Sequence, residues 1–286
     1  MEMIGNIKMN FFAVVVLYNT FVNDSITIKK LKSIHSHSIN IVVVDNSTKD
    51  MKNEEETKAN NWAYLSMNGN KGLSKAYNCA LEYLKNKEGI VIWFDDDTNV
   101  TQEYFDELEL NAEKYEDADI FVPVIQGQDG KYWSPNEARF LKNKQMKASD
   151  QNIPNNRINA INSCTAVRLS VYDDYRYDER LFLDQVDHNF FYDQRKLNRK
   201  VKILKVVIHH NFSTKSKMKN IDAVKTRYRI MIPDFLMYCS KTRSKYFLGL
   251  IKVAGWGIRE GIKYRNVGFL FWTLNEARMW KGKQKV

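Results

Sequence analysis

The chain has 286 residues, a net charge of +10, 44% hydrophobic and 13% aromatic residues, and only 4 Pro and 12 Gly. This composition is typical of a core-forming globular protein with one large domain, with or without a smaller appendage, and leaves no room for a low-complexity linker. Its three cysteines, Cys79, Cys164 and Cys239, are scattered without the spacing of metal ligands, and their odd number disfavours a disulfide framework, so we expect a reducing, cytoplasmic compartment.

Strand-like and helix-like segments alternate through the first half of the chain. Apolar runs predict four buried strands, FFAVVVLYN (11–19), INIVVVDNST (39–48), WAYLSMN (62–68) and GIVIWF (89–94). Helical patterns occur at SITIKKLKSIHSH (25–37) and NKGLSKAYNCALEYLKN (70–86). Together they indicate a parallel sheet covered on both faces, which binds ligands at the carboxyl ends of its strands. Asp45 and the Asp95–Asp97 cluster end two of these strands, so we expect them along one crevice.

The second half is less regular before it becomes helical. Residues 121–166 are richer in Asn, Gln and Gly, which predicts loops around a site. The segment 177–211 then predicts an acidic turn, a helix and a strand that ends at His209 and His210. From about Asp222 onward the pattern predicts helices with many aromatic residues.

Three adjacent aspartates, Asp95, Asp96 and Asp97, follow the fourth strand. Carboxylates at a strand end are the hard oxygen ligands that Mg²⁺ or Mn²⁺ prefers, and these metals usually share their coordination shell with substrate phosphates. In extended backbone Asp95 and Asp97 project to the same side and Asp96 to the other. The alternative is that the aspartates cap a helix and form its acidic first turn, because DDTNVTQEYFDELEL (96–110) has a helical pattern.

A second motif, NKGLSKAYN, places polar and small residues at alternate positions: Asn70, Gly72, Ser74, Ala76 and Asn78. Small residues at this spacing let the start of a helix lie close to a neighbouring backbone or to a diphosphate. The motif is neither the G-x-G-x-x-G fingerprint nor a P-loop, so close packing of a helix is the alternative interpretation.

Six segments occur in the order found in family-two glycosyltransferases with the GT-A fold: VVVLYN (14–19), VVVDNST (42–48), NKGLSKAYN (70–78), FDDDT (94–98), INSCTAVR (161–168) and LFLDQVDHNFF (181–191). Over roughly residues 10–215 the sequence resembles that family, most of all its rhamnosyltransferase-like and galactofuranosyltransferase-like branch of bacterial polysaccharide synthesis. The resemblance implies an α/β fold. A mostly parallel, Rossmann-like sheet flanked by helices would form a catalytic domain at 1–220, followed by a basic, aromatic-rich helical appendage at 221–286.

The resemblance also implies which residues bind the donor. The nucleotide would contact residues at the first strand ends and in the glycine motif: Tyr18, Asn19, Asp45, Asn70 and Gly72. A divalent cation, Mn²⁺ or Mg²⁺, would link the diphosphate to Asp95 and Asp97. A histidine at the end of a later strand would complete its coordination shell, and His210 fits that register better than His209.

The segment LFLDQVDHNFF carries the implied acceptor side. Asp187 matches the general base of the family, and Asp184, three residues earlier, is the alternative. The pocket for the acceptor and the donor sugar would contain Asp96, Trp133, Ser163 and Cys164. Three positions depart from the family pattern: Cys164 stands where Gly is common, Asn189 replaces a frequent acid, and Asp193 replaces a frequent Arg.

These roles imply an inverting enzyme. It would move galactofuranose or rhamnose from a UDP- or dTDP-linked donor to a glycan or lipid-linked oligosaccharide, in the synthesis of capsule, exopolysaccharide or cell wall. Two alternatives remain. A nucleotidyltransferase on a similar sheet would need basic residues near the first strand, and LYNTFVNDS (17–25) has none. A basic nucleic-acid-binding protein without catalytic activity is disfavoured because the sequence contains no recognised nucleic-acid-binding motif.

The positive charge is concentrated at the C-terminus, where residues 241–286 contain 11 Lys and Arg against 2 acids, a difference of +9. Aromatic residues are interleaved with these charges: Tyr246, Trp256, Tyr264, Trp272 and Trp280. Because Lys252 and Arg259 interrupt the apolar stretches, none reaches the ~20 residues of a transmembrane helix. We therefore expect amphipathic helices bound peripherally to the inner face of the cell membrane. The alternative is homo-oligomerisation or packing of a core helix pair.

Overall fold

The computed structural model describes residues 9–35, 37–139, 143–210 and 220–283. The chain divides into two compact units. The first contains Met1–Lys71, Lys75–Tyr177 and Phe190–Phe212, and the second contains Gly72–Ser74, Asp178–Asn189 and Ser213–Val286. The second unit therefore includes two short segments of the region that resembles glycosyltransferases, in addition to the C-terminal helices.

Strands and helices alternate along the chain. The strands are β1 (Phe11–Leu17), β2 (Ile39–Asp45), β3 (Ala63–Ser66), β4 (Ile90–Asp95), β5 (Ile120–Gly127), β6 (Tyr132–Ser134), β7 (Asn136–Glu137), β8 (Lys144–Gln145), β9 (Ile158–Asn159), β10 (Thr165–Arg168) and β11 (Val201–His210). The helices are α1 (Ile26–Lys32), α2 (Asn53–Ala59), α3 (Leu73–Tyr83), α4 (Gln102–Lys114), α5 (Val186–Lys196), α6 (Ile221–Cys239), α7 (Arg243–Lys263) and α8 (Gly268–Lys283).

The first unit is built on a mixed, mostly parallel sheet with strand order β11-β5-β10-β4-β1-β2-β3, in which β6 also pairs with β5. The pairs β1–β2, β1–β4, β2–β3 and β5–β11 are parallel, whereas β10 runs antiparallel to both of its neighbours. Residues of β1, β2 and β4 are almost all buried, as expected for strands covered on both faces. The predicted α/β fold is confirmed.

The register of this sheet aligns the polar ends of its central strands. Leu17 pairs with Asp45, and Val16 pairs with Asp95. Because these strands are parallel, both aspartates lie at the same edge of the sheet. Strands β2 and β4 flank β1, so the expectation that Asp45 and the aspartate cluster end strands along one edge of the sheet is confirmed.

Helix α4 begins after the aspartates and not at them. Its N-cap is Thr101, whose hydroxyl accepts a hydrogen bond from the N–H of Tyr104, and the acid in its first turn is Glu103. The interpretation in which the Asp95–Asp97 cluster caps this helix is therefore wrong. Those residues occupy the connection between β4 and α4, where a backbone outside regular structure can present side chains to a ligand.

Residues 121–166, whose composition predicts loops, contribute the strands β5 and β10 to the middle of the sheet. Pro123 within β5 weakens the strand signal, because proline is rare inside central strands. Helix α2 is also absent from the sequence-based expectations. Its sequence NEEETKA has no apolar periodicity, and three glutamates in its first turn favour the helix through the macrodipole.

The helices of the second unit pack around a core of their own, formed by Val224, Tyr228, Ile232, Phe235, Leu236, Cys239, Val253, Phe269 and Ala277. The aromatic residues expected to face a membrane, including Trp256, Trp272 and Trp280, are partly buried against this core. Packing, which was the alternative interpretation, therefore accounts for those side chains. In the described part of the chain no helix is long and apolar enough to cross a membrane.

Candidate active site

Hydroxyl groups at the start of α1 fix the chain where it leaves β4. The buried Ser25 donates to the carbonyl oxygen of Asp96 at 2.7 Å, and the buried Thr27 donates to that of Asp95 at 2.5 Å. The N–H of Thr98 in turn donates to the Thr27 hydroxyl at 2.9 Å. These bonds give partners to backbone groups at and after the end of β4, so the fold itself restrains the aspartate segment.

Asp95 and Asp97 meet His210, the last residue of β11. Their potential ligand atoms lie within 4.8 Å of one another, and His210 Nε2 is 3.5 Å from an Asp97 carboxylate oxygen. His210 is buried, whereas His209 is exposed because successive side chains of a strand alternate. The sequence-based preference for His210 over His209 therefore agrees with the geometry.

The donor set of this group fits a divalent cation. Two carboxylates and one imidazole suit Mn²⁺, which accepts oxygen and nitrogen ligands, better than Mg²⁺, which prefers oxygen alone. Three protein ligands also leave coordination positions for oxygens of a substrate.

Asp96 has a different environment from its neighbours. Its carboxylate accepts a hydrogen bond of 2.5 Å from the hydroxyl of Thr20, which follows β1. Burial raises the pKa of Asp96; the bond from Thr20 opposes this shift and the charge of Asp97 adds to it. Asp96 therefore ties the end of β4 to the end of β1. Its expected contact with a sugar stays a prediction.

The expected nucleotide-binding residues near β1 and β2 form one hydrogen-bonded group. Asp45 is buried and accepts hydrogen bonds from Ser47 N–H (3.0 Å), Asn53 (2.9 Å) and Tyr64 (3.2 Å). Burial and the nearby Asp45 carboxylate raise the pKa of Tyr64 to about 12, so this hydroxyl remains a donor over the physiological range.

Asn19 and Tyr18 lie at the end of β1. Asn19 has a left-handed φ of 51°, a conformation that asparagine tolerates better than most residues. Its N–H donates to Ser47, and its side-chain oxygen accepts from the backbone of Thr48 and Lys49. Beside this rigid turn Tyr18 is 52% exposed, so its ring is available for a planar ligand.

The glycine motif is divided between the two units. In the first, Asn70 accepts a hydrogen bond from Asn46 at 3.0 Å. In the second, Gly72 has a φ of +92°, and an added Cβ would lie 2.7 Å from the carbonyl oxygen of Phe182. The N–H of Leu73 donates to that same oxygen. The alternative interpretation, close packing against a neighbouring backbone, therefore explains Gly72, and its contact with the nucleotide stays a prediction.

The remaining expected pocket residues lie in the first unit. Ser163 is buried, and its hydroxyl is 3.0 Å from that of Thr98. Cys164 is fully buried in the core, so its thiol cannot itself contact a sugar, and burial raises the pKa of that thiol well above its usual value. Its φ of 60° explains why glycine is common at this position in the family. Trp133, on β6, is partly exposed and donates to Asp129 at 3.0 Å.

In the second unit Asp184 and Asp187 differ in their partners. Both carboxylate oxygens of Asp184 accept hydrogen bonds of 2.5 Å from the guanidinium of Arg227. Asp187, in the first turn of α5, contacts the backbone N–H and the ring of His188 through Oδ1 alone, at 2.7 and 3.0 Å. Within the described residues its Oδ2 has no hydrogen-bond partner.

Asp234 on α6 holds the segment that precedes α5. Its buried carboxylate accepts hydrogen bonds from the backbone N–H groups of Phe182, Leu183 and Asp184 at 2.9, 2.8 and 2.7 Å. The sequence-based reasoning did not identify Asp234 or Arg227. The available signal was a lone acid in the apolar helical stretch MIPDFLM (231–237), since a buried acid requires partners.

Comparison with known proteins identifies the family. The sequence profile of glycosyl transferase family 2 matches residues 13–176, more than half of the chain. The chain therefore belongs to glycosyl transferase family 2. Among curated proteins, dTDP-rhamnosyl transferase RfbF of Shigella flexneri is 27% identical over 183 residues, which cover 62% of this chain and 60% of that protein. The chain thus matches less than two thirds of this relative's length.

Solved structures share the fold at low sequence identity. The 1–349 fragment of S. aureus TarS has a TM-score of 0.52 and 14% identity, covering 95% of this chain and 92% of that one. The same fragment in complex with UDP-GlcNAc has a TM-score of 0.51 and 16% identity, covering 91% and 75%. Glucosyl-3-phosphoglycerate synthase from Mycobacterium tuberculosis has a TM-score of 0.50 and 13% identity, covering 81% and 80%. At these identities the likeness supports the GT-A-like fold alone.

Proposed function

We propose that this protein is an inverting, metal-dependent glycosyltransferase that moves a sugar from a nucleotide-sugar to a glycan or lipid-linked acceptor of a bacterial surface polysaccharide. The observation that carries the proposal is the grouping of Asp95, Asp97 and His210 in a chain of glycosyl transferase family 2. These residues would hold Mn²⁺, which when bound neutralises negative charge on the diphosphate leaving group.

The residues near β1 and β2 would bind the nucleotide. Asp45 uses three lone pairs for Ser47, Asn53 and Tyr64, and a carboxylate has about four acceptor positions, so one remains for a ribose or base donor. The exposed ring of Tyr18 would stack on the base. Asn19 and Asn70 would support these contacts through the turns that they fix.

Asp187 would act as the general base. It takes the proton of the acceptor hydroxyl while the hydroxyl oxygen attacks the anomeric carbon and the bond to the diphosphate breaks, a contribution of roughly 10²–10⁴-fold. A single displacement inverts the configuration. Asp187 is a better candidate than Asp184, because the guanidinium of Arg227 engages both oxygens of Asp184. If Asp184 accepted a proton, it would lose its charge and with it the ion pair with Arg227.

The donor sugar is proposed from the curated relative. Because that relative is a dTDP-rhamnosyl transferase, dTDP-rhamnose is the first donor to test, and UDP-galactofuranose is the second. The nucleotidyltransferase and nucleic-acid-binding alternatives have less support, because the match to the glycosyltransferase family covers strands β2 to β10 and the aspartates at the ends of β2 and β4.

Thermal unfolding with a panel of nucleotide-sugars, with and without Mn²⁺, tests the proposal. A ligand at 100 times its Kd stabilises the native state by about 2.7 kcal/mol. We expect one donor to raise the Tm in Mn²⁺ and to lose most of this effect in EDTA. Equal stabilisation with and without the cation would contradict the metal assignment. Salt-sensitive stabilisation by RNA, with none by any nucleotide-sugar, would contradict the enzymatic proposal.

A further inference from the structure

Helix α7 presents an apolar stripe away from its packed side. Phe247, Ile251, Ile258 and Ile262 are all exposed, the last at 75%. Their separations of four, seven and four residues keep them on one face of a helix. Gly249, Val253 and Gly257 are buried on another face, so the stripe is separate from the core of the second unit.

Helix α8 extends this apolar surface. Gly257 lets the two helices approach closely, because an added Cβ there would lie 3.1 Å from the Cα of Leu270. Val267 and Phe271 are 85% and 69% exposed beside this contact. A groove of about 400 Å³ runs along it, with Ile258, Ile262, Val267 and Leu270 in its lining. We call the exposed side chains of Phe247, Ile251, Ile258, Ile262, Val267 and Phe271 the α7–α8 apolar face.

Positive charge surrounds this surface. Six basic residues of α7, α8 and their connection are exposed: Arg243, Lys252, Arg259, Lys263, Arg265 and Arg278. The two acids of this region are not exposed. Glu260 is buried and paired with Arg259 and Lys263, and Glu276 lies 3.9 Å from Arg229. In the described part of this region, the exposed apolar side chains are therefore accompanied by exposed cations and by no exposed acid.

We propose that the α7–α8 apolar face docks on an anionic phospholipid bilayer. Amphipathic helices with apolar and basic surfaces lie in the membrane interface, where lipid tails accept the apolar side chains and anionic headgroups attract the cations. A second copy of the chain fits less well, because the same cations would face one another across a symmetric contact. The proposal does not depend on the proposed glycosyl transfer.

Vesicle co-sedimentation tests the apolar contribution. The full-length protein is mixed with phosphatidylcholine vesicles with or without phosphatidylglycerol. We expect binding only with phosphatidylglycerol, and a part of it should persist at high salt. The variant Ile258→Asp/Ile262→Asp should bind at least tenfold less. Leu110→Asp, which changes an exposed leucine of α4, is the matched control and should bind like the wild type. Equal binding by wild type and the double variant would overturn the proposal.

A charge variant and an assembly measurement complete the test. Arg243→Gln/Arg278→Gln should weaken binding several-fold at low salt and little at high salt, whereas Lys29→Gln/Lys30→Gln, on exposed residues of α1, should not. If Ile258→Asp/Ile262→Asp does not fold, the comparison of these two glutamine variants still tests the proposal. Sedimentation velocity without lipid should show no self-association through this face. A dimer that Ile258→Asp/Ile262→Asp dissociates would overturn the proposal and assign the face to a second copy.

Discussion

Two groups of carboxylates, one in each unit, differ in their partners. At the strand ends of the first unit, Asp95 and Asp97 converge on the imidazole of His210 with the donor atoms of a cation site. In the second unit, Arg227 neutralises Asp184, and three backbone N–H groups satisfy Asp234. A carboxylate with its hydrogen-bonding capacity satisfied within the fold contributes to structure, whereas carboxylates gathered at a strand end are suited to a ligand.

Asp187 is the exception within the second unit, since its Oδ2 has no partner among the described residues. We expect Asp187→Asn to lower transfer by about 10²–10⁴-fold, because the amide cannot take the proton of the acceptor. Donor binding and unfolding temperature should stay unchanged. Steady-state transfer assays and calorimetric donor titration measure the two effects.

Asp184→Asn is the control for this substitution. It should weaken the pair with Arg227 and lower stability, while transfer per folded molecule remains within about tenfold, the factor that 1.4 kcal/mol would produce. If Asp184→Asn is inactive and Asp187→Asn is active, the general base is Asp184 and the assignment of Asp187 is wrong.

A smaller effect is expected in the strand-end cluster. Asp97→Ala removes one of three ligands that would hold Mn²⁺, and several kcal/mol of charge stabilisation corresponds to about 10²–10³-fold in transfer rate. The Mn²⁺-induced rise in Tm should also disappear, although the protein should still fold in EDTA. Transfer assays and thermal unfolding across a Mn²⁺ titration measure this.

Asp96→Asn is the matched control, since Asp96 bonds to Thr20 and is not part of the ligand group. It should retain the Mn²⁺ response. An identical loss in both variants would show that the local charge matters more than the geometry of the ligands.

The local sequence predicts the strands that end at these aspartates, but it does not predict which strands pair with one another. Apolar runs that end in Asp45 and Asp95 locate β2 and β4, because such runs are typical of strands that are buried on both faces. Strand β10 has only four residues, and its pairing with β4 and β5 comes from the tertiary fold. The role of Asp234 could not be predicted from local sequence either, since its N–H donors lie about fifty residues earlier in the chain.

Asp234→Ala should destabilise the protein. It leaves three backbone N–H groups without their acceptor, and a buried unsatisfied group costs about 1–3 kcal/mol. Because water and local relaxation recover a part of this, we expect a loss of about 3 kcal/mol in the free energy of unfolding. Urea denaturation measures the loss. Asp222→Ala, on an exposed acid of the same helix, should change stability by less than about 0.5 kcal/mol. Equal effects would mean that Asp234 does not hold the segment before α5.

The smallest effect concerns Asp45, a strand-end carboxylate that accepts three hydrogen bonds from within the fold. Tyr64→Phe removes one of its three donors, and loss of a single hydrogen bond costs about 1 kcal/mol. The pH dependence gives the sharper test. Because burial and Asp45 raise the pKa of Tyr64 from an ordinary value near 10 to about 12, the folded state holds this proton more tightly than the unfolded chain does.

The stabilising contribution of Tyr64 is therefore complete below pH 10 and is lost as the pH rises from 10 to 12. The difference in unfolding free energy between wild type and Tyr64→Phe should be constant from pH 7 to 9 and shrink above pH 10. Other titrating groups cancel in this difference, since both proteins contain them. Tyr83→Phe, at an exposed tyrosine of α3, should show no such trend. A difference that stays constant up to pH 12 would mean that Asp45 does not hold the Tyr64 proton.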